Sequence, residues 1–483
     1  MSSDRPSARH RARRPSRRTS ALALAIGICI GAIPSHAVAQ EDVSLLARIA
    51  ALELRSGISP GADTDDRTSL DQRLRIIERK LELQDVAAKT AKAPVLTLDA
   101  GKGLSVQSPG GLEVKLRGLV QADFRHHGEG APQNDGFLFR RIRPTLEGSW
   151  GPLIGFRLTP EFAGDSASIV DAYVDLKFDP RATVRIGKVK GPVGLERLQG
   201  AAATSFIERG FTTELAPNRD LGVQLQGDVL KKALHYTVGI YNGAPDGRDA
   251  ATSSSDDEFE YAGRLFWEPF KNGNGDAGTL GIGVAASIGD KFGSGNNFLP
   301  RYRTPGQAQF FGYGSNVAAD GEHLRKAVHG YWYKGPFGLL GEWITSSQQL
   351  QVVSGAGAGT RTKLENEAWQ LSAGWVLTGE DASFRGVTKP SSPFAVGADG
   401  WGALELVGRY GRLDIDDDAF PLFASAAASA SEARSWGIGL NWYLTGNLKL
   451  ATSYNHASFE GGAAAGADRQ DEKTLFARAQ LSF

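Results

Sequence analysis

The chain has 483 residues, among them 60 glycines, one cysteine and one methionine. A single cysteine excludes a disulfide framework or a cluster of thiolate metal ligands within the chain. The 54 basic and 54 acidic residues cancel, so the bulk charge gives no reason to expect a nucleic-acid partner.

Residues 1–39 have the three parts of a secretory signal peptide. Seven arginines precede an apolar stretch from Ala21 to Ile33, and Ala37-Val38-Ala39 forms a cleavage site. The pair Arg17-Arg18 leaves export by either the general or the twin-arginine route open. Cleavage removes seven of the 54 basic residues and one of the 54 acidic residues, so the mature chain has a net charge of −6. No later apolar run approaches the roughly 20 residues of a membrane-spanning helix.

Residues 40–90 carry apolar residues at alternating spacings of three and four, as in the seam of a coiled coil. The clearest run is Leu70, Leu74, Ile77 and Leu81, with charged residues between them. Because so short a helix is marginal alone in water, we predict a periplasmic coiled coil that joins copies of the chain and contacts the periplasm or cell wall. An amphipathic helix folded onto its own chain is the alternative. Residues 91–111 are predicted as a linker.

From residue 112 to residue 483 the apolar residues recur at every second position, which is the period of a β-strand. In the first segment one face carries Leu112, Val114, Leu116, Val120 and Phe124, and the other carries Glu113, Lys115, Arg117, Gln121 and Asp123. About 16 segments of roughly 9–12 residues repeat the pattern, and that length spans a bilayer when strands tilt. This predicts an all-β fold, a 16-stranded antiparallel transmembrane barrel in the lipid of the bacterial outer membrane.

The connections between these segments alternate in length. Short turns such as 150–153 and 444–447 alternate with longer polar loops, which we expect on the outer side of the membrane. The longer loops are 244–257, 290–322, 347–362, 379–401, 414–433 and 457–472.

Several motifs in this region resemble the phosphate-selective porin O/P family. They are Gly136-Phe137-Leu138-Phe139-Arg140-Arg141, Asp171-Ala172-Tyr173-Val174, the run from Arg185 to Arg197, Glu208-Arg209, Leu377-Thr378-Gly379-Glu380, Gly439-Leu440-Asn441-Trp442-Tyr443 and Arg478 to Phe483. The resemblance covers residues 112 to 483 and implies a homotrimer. It also implies a third outer loop, about 191–219, that folds into the lumen as a constriction.

The resemblance also implies where anions bind. It carries Arg140, Arg141 and Asp171 onto the binding site, and Arg197 onto a loop position that is lysine in phosphate-selective members. This sequence departs from the family in two places. The stretch 199–205 has no charge, and Arg143 stands where the family has an aromatic residue. Both departures put phosphate selectivity, rather than anion passage, in question.

Alternation itself places a row of cations on the polar face of the strands. Arg141, Arg143, Arg157 and Arg185 lie on that face, joined by Lys115 and Arg117, and Lys188, Lys190 and Arg197 lie at the junction with the constriction loop. An arginine presents a planar fork that matches oxyanions, and several weak sites in a row let an ion leave again. The alternative is that these cations pair with carboxylates on neighbouring strands and stiffen the wall.

The sequence therefore predicts a porin that passes small anions by facilitated diffusion, with phosphate or oligophosphate favoured. A general or organic-anion porin of the same fold is one alternative, and a structural or adhesive outer-membrane protein is another. No Ser/His/Asp constellation stands out, so we predict no enzymatic activity, no cofactor and no metal site.

Overall fold

The computed structural model describes residues 54, 72, 75–83, 93–99, 103–129, 131–164, 166–254, 256–273 and 277–483. The predicted signal peptide lies outside these residues. The chain divides into two compact units, Met1–Ala91 and Lys92–Phe483. In the first unit residues 75–83 are helical, as the heptad pattern predicts, whereas the coiled-coil pairing stays a prediction. Among the helices of the described residues, none is both long and apolar enough to cross a membrane.

The second unit begins with a hairpin in the stretch that the sequence analysis treats as a linker. Strand β1 is Val95–Asp99 and β2 is Gly103–Gln107, and the two pair antiparallel. The linker expectation for 91–111 is therefore corrected, because β2 also pairs with the strand that follows it, from Leu104 opposite Leu116 to Gln107 opposite Glu113.

Sixteen further strands form a closed antiparallel barrel, which confirms the predicted fold class. In chain order they are β3 Leu112–His127, β4 Gly136–Trp150, β5 Ile154–Glu161, β6 Ser168–Asp179, β7 Ala182–Val189, β8 Asp220–Val229, β9 Leu234–Tyr241, β10 Glu260–Trp267, β11 Thr279–Ser294, β14 Val317–Lys334, β15 Phe337–Val352, β16 Arg361–Val376, β17 Ala403–Asp414, β18 Ala430–Tyr443, β19 Leu448–Gly461 and β20 Glu472–Ser482. A small separate hairpin consists of β12 Arg301–Arg303 and β13 Gln309–Gly312. The barrel closes where β20 pairs with β3, from Thr474 opposite His127 to Ser482 opposite Leu119.

Residues in the strands alternate between the lumen and the outer surface of the barrel. In β3 the side chains of Gln121 and Asp123 are buried inside, whereas Phe124 is 38% exposed on the outer surface. In β9 the outward-facing Val238 and Ile240 are likewise exposed. A soluble sheet would bury such an apolar face, so an apolar outer surface around a polar lumen is the pattern of a membrane barrel.

The connections fall at two ends of the barrel, which we call the turn end and the loop end. The turn end carries short turns such as 151–153 and 335–336, and the loop end carries 190–219, 242–259 and 295–316. The connection 377–402 was expected among the outer loops but lies at the turn end, because β16 runs toward that end. Its backbone meets the loop 190–219, where Gln199 Nε2 donates to Phe384 O at 2.7 Å.

A hydrophobic core occupies one side of the loop-end half of the lumen, against β14 to β19. The β12–β13 hairpin places Tyr302, Phe310 and Phe311 in this core, fully buried against inward-facing apolar residues of β14 to β19. Phe310 also contacts Phe211 of the loop 190–219, with ring centroids 5.9 Å apart. The 295–316 loop therefore folds into the lumen and packs against the loop 190–219 from the loop end of the barrel.

Candidate functional site

The connection between β7 and β8, residues 190–219, crosses the interior of the barrel, and we call it the constriction loop. It contains one short helix, α1 (Leu195–Leu198), and a 3-10 turn at Phe211–Glu214; the other 3-10 turns in the described residues are Asp417–Ala419 and Ala464–Gly466. The loop enters α1 through Gly194, whose φ of 90° suits glycine and where a Cβ would lie 2.8 Å from the Cβ of Ala216.

The uncharged part of the constriction loop is fastened to the wall by its backbone. The carbonyl of Ala202 accepts from Gln480 Nε2 of β20 at 3.0 Å, and the carbonyl of Thr204 accepts from Lys449 Nζ of β19 at 3.1 Å. The carbonyl of Ser205 accepts from Asn441 Nδ2 of β18 at 2.8 Å. Because backbone carbonyls accept these hydrogen bonds, the segment 199–205 is held to the wall without charged side chains of its own.

Two carboxylates fix the charged part of the same loop. Glu208 Oε1 accepts from Arg125 Nη2 of β3 at 2.5 Å and from Arg140 Nε of β4 at 2.6 Å. Burial alone would raise the pKa of Glu208, but Arg140 and Arg125 hold that pKa well below its usual range. Glu196 Oε2 accepts from Gln370 Nε2 of β16 at 2.7 Å. These contacts fasten the charged part of the loop to β3, β4 and β16.

The wall also supplies a carboxylate to the loop. Glu342 of β15 accepts a hydrogen bond from the backbone N–H of Leu195, and its second oxygen accepts from Thr212 Oγ1 at 3.0 Å. All these fastenings come from β15 to β20, β3 and β4. The loop therefore packs to one side, and open space remains along the wall from β3 to β10.

That open space forms two chambers, one on each side of the constriction loop. The loop-end chamber has a volume of about 410 Å³. Ten basic residues line it: Arg140, Arg141, Arg143, Lys190, Arg197, Arg209, Arg219, Arg248, Arg301 and Arg303. Only three acidic residues among the described ones do so, namely Glu208, Glu214 and Asp249. The lining of this chamber is strongly cationic.

The turn-end chamber has a volume of about 530 Å³. Its basic residues are Arg117, Arg143, Arg157, Arg185, Lys190, Arg219 and Arg264, and its one acidic residue among those described is Asp171. Arg185 lies over the ring of Tyr173, 3.9 Å from the centroid, and donates to Asp175 at 2.7 and 2.9 Å. The cationic lining thus continues toward the turn end.

Three cations belong to both chambers and mark the passage between them: Arg143, Lys190 and Arg219. Lys190 Nζ donates to the carbonyls of Leu198 and Gln199 at 3.1 and 2.9 Å. Burial lowers the pKa of Lys190 well below its usual value, and repulsion from Arg219 adds to the shift. Three basic side chains therefore meet at this passage.

A β-bulge in β4 brings two consecutive arginines into the lumen. The pairing with β3 shifts between Gln121, opposite Arg141, and Ala122, opposite Phe139, so Arg140 has no partner residue. With regular alternation the side chain of Arg140 would point outward. The bulge turns it into the lumen instead. Arg140 reaches Glu208, and Arg141 Nη1 donates to Gln121 Oε1 at 2.6 Å.

The structure places nine of the eleven predicted site residues in the two chambers. These are Arg117, Arg140, Arg141, Arg143, Arg157, Asp171, Arg185, Lys190 and Arg197. Lys115 and Lys188 line neither chamber. Lys115 Nζ lies 3.0 Å from Glu113, and Lys188 Nζ lies 3.5 Å from Asp249.

Pairing with carboxylates, the alternative weighed from the sequence, holds for part of the set. Arg143 lies 2.6 Å from Glu161, and Arg117 and Arg157 lie 2.6 and 3.5 Å from Glu147. By contrast, the structure gives Arg141, Lys190 and Arg197 no carboxylate among the described residues within salt-bridge distance, and each donates to neutral oxygens instead. Their charge remains available to the lumen.

Several chamber residues were not among the predicted ones: Arg209, Arg219, Arg248, Arg264, Arg301 and Arg303. Arg264 lies on the inward face of β10 between Ala262 and Phe266, so alternation could have found it. Arg209 is part of a motif already noted. Arg248, Arg301 and Arg303 come from loop-end segments, where no periodicity indicates which side chains turn inward.

Comparison with known proteins identifies the family. The family model described as phosphate-selective porin O and P matches residues 114–483. This chain belongs to that family. The porin is 24% identical to Porin O of Pseudomonas aeruginosa over 411 residues, 75% of this chain and 89% of that protein. It is 25% identical to an uncharacterized protein of Caulobacter vibrioides over 401 residues, 77% of this chain and 74% of that protein.

Two solved structures also superpose on the porin. The outer membrane channel DcaP of Acinetobacter baumannii does so with a TM-score of 0.49 and 13% identity, over 78% of this chain and 99% of that one. The anion-selective porin from Comamonas acidovorans does so with a TM-score of 0.46 and 13% identity, over 77% of this chain and 100% of that one. Family membership and the closed barrel make the protein an outer-membrane porin, as the sequence motifs predict.

Proposed function

We propose that the porin passes small anions by facilitated diffusion, with phosphate or oligophosphate favoured. The observation that carries this proposal is the excess of cations along the open side of the lumen. Ten basic and three acidic residues line the loop-end chamber, and seven basic and one acidic residue line the turn-end chamber. An anion entering from either end meets a positive potential throughout the passage.

The chemistry of these cations suits oxyanions. Guanidinium groups donate to two oxygens at once, and the loop-end chamber has nine arginines with which to do so. Lys190 stands at the passage between the chambers and contributes a compact positive charge there when it is protonated. An anion that loses water on entering the passage regains hydrogen bonds there, and the many similar sites on either side allow it to move on.

A general or organic-anion pore without phosphate selectivity is the second candidate. The constriction loop supports it, because the segment 199–205 adds no positive side chain where the lumen is narrow. Its carbonyls instead bind Gln480, Lys449 and Asn441 of the wall. In this case the cations would attract anions of many shapes without binding one of them more tightly than the others.

We also propose that the protein works as a homotrimer whose copies are joined in part through the helical segment within 40–90. The support is the heptad pattern and the helical state of residues 75–83. The structural or adhesive role considered from the sequence predicts a pore that does not conduct. The two connected chambers argue for conduction and against that role.

Reversal potential in planar bilayers tests the main proposal. Purified porin is placed in a KCl gradient, and inorganic phosphate is then titrated against the chloride current. We expect a chloride-selective potential, a current blocked by phosphate, and relief of the block in Arg141→Ala. Chloride selectivity without phosphate block would favour the second candidate. A cation-selective or unselective pore would overturn anion selectivity and leave only a general porin, and no conductance would support the structural role.

A further inference from the structure

A buried ion cluster lies outside the chambers, around Arg325 in the middle of β14. Arg325 is completely buried, and every nitrogen of its guanidinium is used. Nε donates to Asp246 Oδ1 at 2.6 Å, Nη1 donates to both Glu260 oxygens at 2.9 and 2.8 Å, and Nη2 donates to the carbonyl of Ala244 at 2.7 Å. This residue therefore ties the loop 242–259 to the wall.

Asp246 joins a third element to the same cluster. Its second oxygen, Oδ2, accepts from the hydroxyl of Tyr302 at 3.1 Å, and Tyr302 lies in the middle of β12. Asp246 is 1% exposed, so these bonds form away from bulk water. One carboxylate thus holds the loop 242–259 and the β12–β13 hairpin to a single arginine of the wall. We call Asp246, Arg325 and Tyr302 the loop clamp.

The loop clamp lies directly behind cations of the loop-end chamber. Arg248 follows Asp246 by two residues and lines the chamber. Arg301 and Arg303 flank Tyr302 and line the same chamber, since alternation in β12 turns them away from the buried tyrosine. Three of the ten basic residues of the chamber are therefore carried by segments that the clamp fixes.

The clamped segments also join the constriction loop. The carbonyl of Arg248 accepts from the backbone N–H of Asn218 at 2.8 Å, and the carbonyl of Ala216 accepts from the N–H of Gly247 at 3.0 Å. A shift of the loop 242–259 would therefore disturb both the position of Arg248 and the end of the constriction loop.

We propose that Asp246, Arg325 and Tyr302 are positioning residues for anion binding in the loop-end chamber. They do not line the chamber; they hold Arg248, Arg301 and Arg303 where these can bind a passing anion. This inference rests on the proposed anion-selective function. Preorganised cations bind more tightly than mobile ones because the cost of ordering them is met during folding.

The direction in which one substitution changes phosphate affinity distinguishes positioning of the cations from simple electrostatics. Asp246→Asn keeps the shape of the side chain and removes one negative charge near the chamber. If charge alone mattered, phosphate would bind more tightly to the variant. If Asp246 positions the cations, phosphate binds less tightly, because the bonds to Arg325 and Tyr302 weaken and the loop moves.

The experiment is phosphate block of chloride current in planar bilayers, with phosphate added from the loop end. We expect the half-blocking concentration to rise about tenfold in Asp246→Asn and about threefold in Tyr302→Phe, as for the loss of a charged and an ordinary hydrogen bond. Tyr331→Phe is the control for loss of a tyrosine hydroxyl, because it removes a bond to the carboxylate of Glu268 near the turn end. We expect it to leave the block unchanged. Tyr302→Phe removes the bond to Asp246 and also the bond that Asn366 Nδ2 donates to the hydroxyl at 3.0 Å.

The outcomes are distinct. Tighter or unchanged block in Asp246→Asn would overturn the inference while leaving the proposed function in place. A wild-type pore that phosphate does not block would overturn the phosphate proposal and this inference with it. If Asp246→Asn does not assemble, Tyr302→Phe decides: block as in the wild type would refute positioning, and a threefold weaker block would support it.

Discussion

Lys190 offers the sharpest test of the passage between the two chambers. It lines both chambers, and its ammonium group is held only by the carbonyls of Leu198 and Gln199 in the described part of the chain. Lys190→Met keeps the length and apolar body of the side chain and removes the ammonium group. Because burial lowers the pKa of Lys190, the comparison is made at a pH low enough to keep that lysine protonated. We therefore expect a folded pore whose constriction loop is intact and whose passage holds anions less tightly.

Coulomb's law brackets the size of the effect. At a separation of about 5 Å, one unit charge attracts a monovalent anion by about 0.8 kcal/mol in bulk water and by about 3 kcal/mol at an effective dielectric constant near 20. Since about 1.4 kcal/mol corresponds to a tenfold change, the half-blocking phosphate concentration should rise between about fourfold and a hundredfold. Because the passage between the chambers is partly enclosed, we expect a rise in the half-blocking concentration between these two limits.

The assay is phosphate block of single-channel chloride current, compared with Lys115→Met as the matched control. Lys115 also points into the lumen but lies 3.0 Å from Glu113 and lines neither chamber. Its loss should leave the block nearly unchanged. Equal effects in the two variants would refute the view that Lys190 marks the binding passage, and would indicate that only the total charge of the lumen matters.

Three further predictions follow from the charged residues and the N-terminal segment. Burial raises the pKa of Glu214 to about 7, so the loop-end chamber gains a negative charge as the pH rises through 7. Chloride selectivity, measured as the reversal potential in a KCl gradient, should therefore fall over this pH range. Glu214→Gln should abolish the change. Glu208→Gln leaves Arg140 without its buried carboxylate and should cost about 3 kcal/mol of unfolding free energy in urea, whereas Glu147→Gln, with partly exposed partners, should cost less than about 1 kcal/mol. Deleting residues 40–91 should shift the porin from trimer toward monomer in sedimentation velocity, and an unchanged trimer would contradict the coiled-coil prediction.

The barrel was predictable because alternation is a local signal. The residues of each strand alternate between an apolar outer face and a polar inner face. The number of such segments predicts the 16 strands that the structure has. The side on which a connection lies is not local, because it depends on the parity of all strands before it. Length alone suggested the loop end for 377–402, and only the full strand order places it at the turn end.

The cationic site was predictable where it lies on regular strands. Arg143, Arg157 and Arg185 line the chambers as alternation indicates. Arg140 faces the lumen only because of the bulge in β4, which no period of two reveals; the family resemblance pointed to it instead. Arg301 and Arg303 depend on a hairpin that is held by tertiary contacts far away in the sequence.

The pairing of β3 with β20 has a consequence for the order of assembly. Leu119 and Ser482 face each other across the closing pair, so the first barrel strand waits for the last one to arrive. Until then the part of this edge of β3 from Leu119 to His127 presents unpaired backbone groups, which a bilayer cannot satisfy. Pairings of such large sequence separation form slowly. The ring can therefore close only when both ends of the barrel segment are present, because Leu119–His127 and Thr474–Ser482 complete it together.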